Sequence, residues 1–105
     1  MNRRYLDIAV LVVSAVTVTY AKELVVSQKG KVFSPGAVTV KSGDVLLFQN
    51  DDAVTHHIYS TTKGREFSLE TLHAGKSAKH AFAAKGRVDV RCGLHPGMRL
   101  VVTVE

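Results

Sequence analysis

Short runs of β-branched and other apolar residues recur from residue 24 to the C-terminus, and turn-forming residues separate them. The runs cover residues 24–26, 37–40, 45–49, 56–60, 79–83, 87–92 and 100–104. Residues 29–30 and 41–44 are two of the turns between them. Strands at this spacing are typical of an all-β sandwich or barrel. Elsewhere in the chain, only residues 66–73 could hold a turn of helix.

The first 21 residues have the layout of a secretory signal peptide. A positive start at Arg3 and Arg4 precedes an apolar stretch over residues 8–18, and Ala21 offers a small residue before a cleavage site. An uncleaved membrane anchor is the alternative, but the apolar stretch is shorter than the roughly 20 residues that span a bilayer. We therefore predict a signal peptide over residues 1–21, one folded domain over residues 22–105 and a periplasmic location.

The charge of the chain argues against one class of partner. The 105 residues carry a formal net charge of +5, and the lysines and arginines after residue 21 are scattered singly rather than in runs. Nucleic-acid binders instead cluster basic residues and interleave them with aromatic ones, so we predict no nucleic-acid partner. The positive charge could favour docking to an acidic protein, and a merely solvated surface is an equally good interpretation.

Two-residue alternation assigns the chemically interesting side chains to faces of the predicted strands. Cys92 shares the phase of the apolar residues in strand 87–92, so it faces the interior. His56 shares a face with Ile58, whereas His57 lies on the opposite face. Met98 continues the apolar phase of strand 100–104 backwards, provided that no bend intervenes. The pattern therefore directs one Cys, one His and one Met towards the interior.

The segment from residue 92 to residue 98 concentrates metal-binding side chains. Cys92, His95 and Met98 follow a Cys-x-x-His-x-x-Met spacing, and Cys92 is the one cysteine of the chain. An unpaired thiol is unusual in an exported protein, and metal coordination would both protect and use it. A thiolate, two imidazoles and a weak thioether form the blue-copper ligand set. With His56 as the second histidine, we predict one copper ion held by His56, Cys92, His95 and Met98.

The sequence alone leaves other interpretations of these residues open. Taken singly, a buried Cys or Met is more often part of the core than a ligand. Zinc also binds one cysteine and two histidines, although the thioether of Met98 is a poor zinc ligand. A Cys–His nucleophilic enzyme is conceivable, but Cys92 and His95 share one tight loop in a chain too small for a substantial substrate cleft. We read His57, His73 and His80 as structural or surface residues.

Further motifs carry a family resemblance over nearly the whole region from residue 22 to residue 105. They are Phe33-x-Pro35, Val38-x-Val40-x-x-Gly43-Asp44, Phe48-x-Asn50-x-Asp52, His56-x-Ile58, Gly75, Phe82, Gly86, Cys92-x-x-His95-Pro96-x-Met98 and Val102-x-Val104. With them the sequence resembles the cupredoxin family, in its plastocyanin and amicyanin branch. The resemblance implies an eight-stranded Greek-key β-sandwich with one type 1 copper at its end. It also implies electron exit through the loop histidine, here His95, within an apolar rim.

The sequence departs from the family pattern beside the predicted ligands. His57 stands where many members have Asn, and Gly93 stands where many have Ser or Thr. Leu94 replaces a proline and therefore keeps its backbone N–H. We hypothesise that this N–H donates a hydrogen bond to the Cys92 sulfur and raises the reduction potential.

The function predicted from the sequence is single-electron transport between redox proteins in the periplasm. The expected partners are a c-type cytochrome, an oxidase or a dehydrogenase, and we expect a monomer without stable membrane insertion and without enzymatic activity. The alternative is a periplasmic copper-binding protein for copper resistance, sequestration or delivery. Copper carriers often have Met- or His-rich tracts, which this chain lacks, so the sequence favours the electron shuttle.

Overall fold

A computed structural model describes residues 21–105, which contain nine strands and no helix. The strands are β1 (Glu23–Lys29), β2 (Val32–Ser34), β3 (Ala37–Val40), β4 (Val45–Asn50), β5 (His56–Ser60), β6 (Phe67–Leu72), β7 (Ser77–Ala81), β8 (Gly86–Cys92) and β9 (Arg99–Val104). The predicted signal peptide lies outside the described residues except for Ala21. Within residues 21–105, no helix is long and apolar enough to cross a membrane.

The strands form two sheets. One sheet has four strands in the order β2-β1-β4-β7, and the other has five in the order β3-β9-β8-β5-β6. Parallel pairing joins β1 to β4 and β3 to β9, whereas the other neighbours are antiparallel. The chain passes between the sheets at the β2–β3, β3–β4, β4–β5, β6–β7 and β7–β8 connections. The predicted all-β Greek-key sandwich is confirmed, although residues 21–105 form nine strands rather than the eight that the resemblance implies.

Alternating burial along the strands forms the core between the sheets. In β4 and β8 every second residue is buried, as strands with one apolar face require. Leu46 and Phe48 of β4 are fully buried, and the Phe48 ring lies 6.4 Å from that of Phe33 in an edge-to-face contact. Cys92 and Met98 belong to the same buried cluster. The core therefore extends up to the predicted metal-binding segment.

The prediction of a helical turn over residues 66–73 is wrong, because Phe67–Leu72 is strand β6. This strand pairs with β5, but the register shifts between His57 and Tyr59. Glu70, opposite this irregularity, has a φ of 56°, which is uncommon for a residue with a side chain. The bulge interrupts the two-residue alternation, so the sequence pattern of β6 does not read as a strand. The three-residue strand β2 is too short to give a pattern at all.

The topology brings several connections to one end of the sandwich. β4 and β8 end there, at Asn50 and Cys92, while β5 and β9 begin there. Because β1 runs parallel to β4, the turn after β1 reaches the same end. The β4–β5 and β8–β9 loops thus approach each other, and they carry or flank the predicted ligands.

Candidate metal centre

Cys92 is the last residue of β8, and its thiol lies inside the sandwich. The residue is 2% exposed, in phase with the buried valines of its strand, as the alternation predicts. Ile58 of β5 is its cross-strand partner. A thiol at the end of a buried strand has a fixed backbone position, and its sulfur lies at the boundary between the core and the loops.

His56 reaches the same place from the other loop. It is the first residue of β5, it pairs with Leu72 of β6, and its side chain is fully buried. Its Nδ1 lies 3.6 Å from the Cys92 sulfur. The structure therefore places His56 on the inward face, beside Cys92, as the sequence predicts.

His95 completes a compact triangle of donor atoms. It lies in the β8–β9 loop and is half-buried, and its Nδ1 is 3.1 Å from Nδ1 of His56 and 3.6 Å from the Cys92 sulfur. The point equidistant from the three atoms lies about 2.0 Å from each, which matches the roughly 2.0–2.3 Å of metal–nitrogen and metal–sulfur bonds. One cation at this point would reach all three donors.

The protonation states suit a metal as well. Partial desolvation is the main cause that lowers the pKa of His95, and it favours the neutral ring. Neutral imidazole is the form that binds metals. A thiolate and two imidazoles are soft donors, so the cluster of His56, Cys92 and His95 can hold a copper ion.

Met98 is buried beside this cluster. It is 2% exposed, it belongs to the core cluster that includes Cys92, and its N–H donates a hydrogen bond of 3.0 Å to the carbonyl of His95. This bond closes a tight turn between the two predicted loop ligands. The inward placement of Met98 agrees with the phase argument, and its role as the weak fourth ligand stays a prediction.

Solved structures share this architecture. A purple cupredoxin from Nitrosopumilus maritimus is 25% identical, with a TM-score of 0.69 over 77% of this chain and 98% of that protein. The chain has the cupredoxin fold. An amicyanin variant in its Cu(I) form is 22% identical, with a TM-score of 0.72 over 85% of this chain and 87% of the amicyanin. No protein-family model matches the sequence, and no curated protein matches it.

One structural relative is an enzyme. The copper-containing nitrite reductase of Thermus scotoductus SA-01 is 20% identical, with a TM-score of 0.73 over 79% of this chain. The matched region spans only 22% of that reductase chain. The likeness therefore concerns the fold of one part of the enzyme.

Asp52 orients His56 within this site. Its Oδ2 accepts a hydrogen bond of 2.8 Å from Nε2 of His56 and one of 3.0 Å from the N–H of Lys31, while Oδ1 accepts one of 2.5 Å from the N–H of Gly30. Desolvation raises the pKa of this carboxyl, but the bonds from Lys31, His56 and Gly30 outweigh it, so the pKa of Asp52 is lowered. An ionised carboxylate accepts only, so Nε2 of His56 carries the proton and Nδ1 presents its lone pair to the cluster.

The sequence analysis does not predict the bonds to Asp52, although Asp52 belongs to the family motif. Asp52 stands four residues before His56, a spacing that could have suggested the contact. Asn50 supports the same loop: its side-chain amide donates to the carbonyls of Val54 and Leu72, and its side-chain oxygen accepts from the N–H of Asp52. The fully buried Asn50 thus fixes the loop that carries the carboxylate.

His57 and Gly93 form a close contact at the two departures from the family pattern. The N–H of His57 donates to the Cys92 sulfur at 3.3 Å, and its carbonyl accepts from the N–H of Gly93 at 2.8 Å. The His57 ring, held by a 2.9 Å bond to Ser68, covers Gly93 so closely that a Cβ there would lie 2.8 Å from Nδ1 of His57. Glycine at residue 93 makes room for the histidine at residue 57.

The hypothesis about Leu94 finds no support in this geometry. Among the hydrogen bonds of residues 21–105, the backbone N–H that reaches the Cys92 sulfur belongs to His57, not to Leu94. The Leu94 side chain is 56% exposed beside His95. Its contribution is therefore to the apolar surface around the loop histidine.

The other two histidines lie outside the cluster. His73 is exposed and contacts Thr55 at 3.4 Å. His80 stacks on Phe67 at a ring distance of 3.9 Å, and this burial lowers its pKa. Their interpretation as structural or surface residues is consistent with these positions.

Proposed function

We propose that this protein carries single electrons between redox proteins, using one copper ion held by His56, Cys92, His95 and Met98. The observation that carries the proposal is the triangle of two imidazole nitrogens and one sulfur at 3.1, 3.6 and 3.6 Å. When bound, copper would supply the Cu(I)/Cu(II) couple. A trigonal set of two histidines and one cysteine is typical of electron-transfer copper rather than of a substrate-binding site.

Contacts within the chain hold the donors in place. Cys92 ends one strand, His56 begins the adjacent strand, and the carboxylate of Asp52 fixes the ring of His56. Donors fixed in this way move little when the charge of the bound ion changes, and a small rearrangement permits fast electron exchange. Preorganisation of this kind is the principal contribution of the protein to such a site.

His95 is the ligand through which electrons would leave. His56 and Cys92 are buried, whereas His95 is half-buried. Leu94, the residue before it in the same loop, is 56% exposed. An apolar surface around a single polar ring can be desolvated by a partner at small cost. We place the partners, such as a c-type cytochrome, an oxidase or a dehydrogenase, in the periplasm with this protein.

The first test is the spectrum of the protein loaded with Cu(II). We expect an intense visible charge-transfer band and a narrow EPR hyperfine splitting, both lost in Cys92→Ser and weakened or shifted in His56→Ala and His95→Ala. His73→Ala is the matched control, since His73 is an exposed histidine outside the cluster. An unchanged spectrum in Cys92→Ser would falsify the proposed ligand set.

A second measurement separates electron transport from copper handling. A shuttle keeps its metal in both oxidation states and exchanges electrons with a c-type cytochrome over many cycles. A copper carrier instead loses Cu(I) to a moderate chelator within the time of the assay. Rapid loss of Cu(I), together with negligible electron exchange, would favour sequestration or delivery over electron transport.

A further inference from the structure

Two arginines lie side by side on the outer face of the five-stranded sheet. Arg91 of β8 is the cross-strand partner of Arg99 at the start of β9, and Tyr59 of β5 is the partner of Arg91 on its other side. Alternation directs all three side chains away from the core, because Cys92 and Leu100, the next residues along β8 and β9, are buried. Arg99 is exposed and Arg91 is half-buried. We call Arg91, Arg99, Tyr59 and the adjacent His57 the arginine face.

This arrangement is unfavourable for the isolated protein. Like charges directly opposite each other on an antiparallel pair destabilise it. The ion pairs among residues 21–105 are His56–Asp52, Lys79–Glu23 and Arg87–Asp89, so neither Arg91 nor Arg99 has an acidic partner there. Asp89, two residues from Arg91, is already paired with Arg87 at 3.4 Å. A pair of uncompensated guanidinium groups is instead suited to an external carboxylate.

The arginine face is also directly connected to the proposed copper site. Arg91 is bonded through the main chain to Cys92, and the N–H of His57 donates to the Cys92 sulfur at 3.3 Å. The His57 ring lies 5.5 Å from that of Tyr59. A partner on this face would therefore contact the residue that precedes Cys92 in the chain and the residue whose N–H is hydrogen-bonded to its sulfur, without covering His95.

We propose that the arginine face is a docking surface for an acidic protein partner whose carboxylates pair with Arg91 and Arg99. The proposal rests on the proposed electron transport and adds the chemistry of the partner. Charge complementarity supports it, since residues 22–105 contain 12 lysines and arginines against 8 aspartates and glutamates. Complementary charges at the rim of an interface act mainly on the rate of association.

The test compares two double variants that remove the same charge from different places. Arg91→Gln/Arg99→Gln alters the arginine face, and Lys41→Gln/Lys85→Gln alters two exposed lysines at the opposite end of the sandwich. Stopped-flow electron exchange is measured with a c-type cytochrome of net negative charge, one of net positive charge and ferricyanide. At about 20 mM salt we expect a roughly 3- to 10-fold slower exchange with the acidic cytochrome for the arginine variant alone.

The expected effect disappears at about 0.5 M salt, where exposed charges are screened, and it is absent with the basic cytochrome. Equal slowing by both double variants would overturn the proposal, because it would reflect only the net charge. If the arginine variant changes the copper spectrum, Arg99→Gln alone replaces it, since the Arg99 side chain is exposed whereas Arg91 is half-buried. An unaffected rate in that variant also overturns the proposal.

Binding is measured separately from electron exchange. Amide shifts of the ¹⁵N-labelled protein, titrated with the acidic cytochrome, are expected at Tyr59, Arg91 and Arg99. Shifts confined to residues 94–96, or preferential binding to duplex DNA or anionic vesicles, would refute the arginine face as the docking surface for an acidic protein. Absence of a copper band or of exchange with ferricyanide would instead refute the proposed function, while the amide shifts would still report on docking.

Discussion

The contacts of Asp52 predict how strongly the loop between β4 and β5 controls metal affinity. Its two carboxylate oxygens accept three hydrogen bonds, from the N–H groups of Gly30 and Lys31 and from Nε2 of His56. In Asp52→Asn, the amide NH₂ must replace one of these oxygens. The better orientation places it towards Gly30 and keeps a neutral acceptor for Lys31 and His56.

The expected loss of copper affinity follows from this geometry. Changes to residues that orient a metal-ligating histidine typically cost 10- to 100-fold in affinity. Asp52→Asn keeps an acceptor for His56 and should fall near 10-fold, about 1.4 kcal/mol, whereas Asp52→Ala removes every acceptor and should approach 100-fold, about 2.7 kcal/mol. The ordering of the two variants is as informative as their magnitudes.

Competition with a calibrated Cu(I) chelator measures the affinity, and Asp51→Asn is the matched control. Asp51 carries the same charge in the same loop, but it accepts from the hydroxyl of Ser27 at 2.5 Å and does not contact His56. The reasoning fails if Asp51→Asn and Asp52→Asn lose the same affinity, since the effect would then be one of net charge. It also fails if Asp52→Ala is no weaker than Asp52→Asn.

Three further predictions concern packing and pH. Gly93→Ala should lower the free energy of unfolding by about 1–2 kcal/mol, because the new Cβ would lie 2.8 Å from His57 Nδ1. The double variant His57→Ala/Gly93→Ala should regain part of the lost melting temperature, because the clash is then removed. Additive losses in the double variant would contradict the contact. Phe48→Ala should cost about 3–5 kcal/mol in urea denaturation, since the ring is fully buried, whereas the exposed Val25→Ala should change little. Burial lowers the pKa of His80 in the folded protein, so on acidification His80 is protonated in the unfolded chain before it is protonated in the folded one. The contribution of His80 to the free energy of unfolding should therefore be complete above pH about 6.5 and decrease as the pH drops below that value. His80→Gln should reduce the dependence of the urea unfolding midpoint on pH between pH 5 and 7.5. An unchanged pH dependence would assign it to other groups.

Much of the fold could be predicted because its strands obey simple rules. The predicted runs 37–40 and 56–60 coincide with β3 and β5, and those over residues 45–49 and 87–92 differ from β4 and β8 by one residue. In β8 the apolar phase is uninterrupted, so the inward face of Cys92 followed directly. Phase is informative where one face of a strand is buried and the other is solvated.

Two expectations differ from the structure: the helical turn over residues 66–73 and the hydrogen bond from Leu94. The bulge opposite Glu70 breaks the alternation of β6, and a left-handed residue cannot be recognised from a glutamate in the sequence. The hypothesised hydrogen bond from Leu94 to the Cys92 sulfur rests on the availability of an N–H alone. Which N–H approaches the sulfur depends on how β5 sits beside β8, and this favours His57.

The metal centre illustrates a broader division between ligand types and ligand positions. The types of donor atom can be read from the sequence. One Cys, one His and one Met within seven residues already limit the candidate metals to soft ones. Their convergence depends on contacts made far along the chain: Asn50 donates to the carbonyl of Leu72, and Asp52 links the turn after β1 to His56. Because these bonds join the β1–β2, β4–β5 and β6–β7 connections, a change in any one connection should reach the site through His56. The loop that carries Cys92, His95 and Met98 is less dependent on them, so variants of residues 50 and 52 should perturb the His56 side of the cluster selectively.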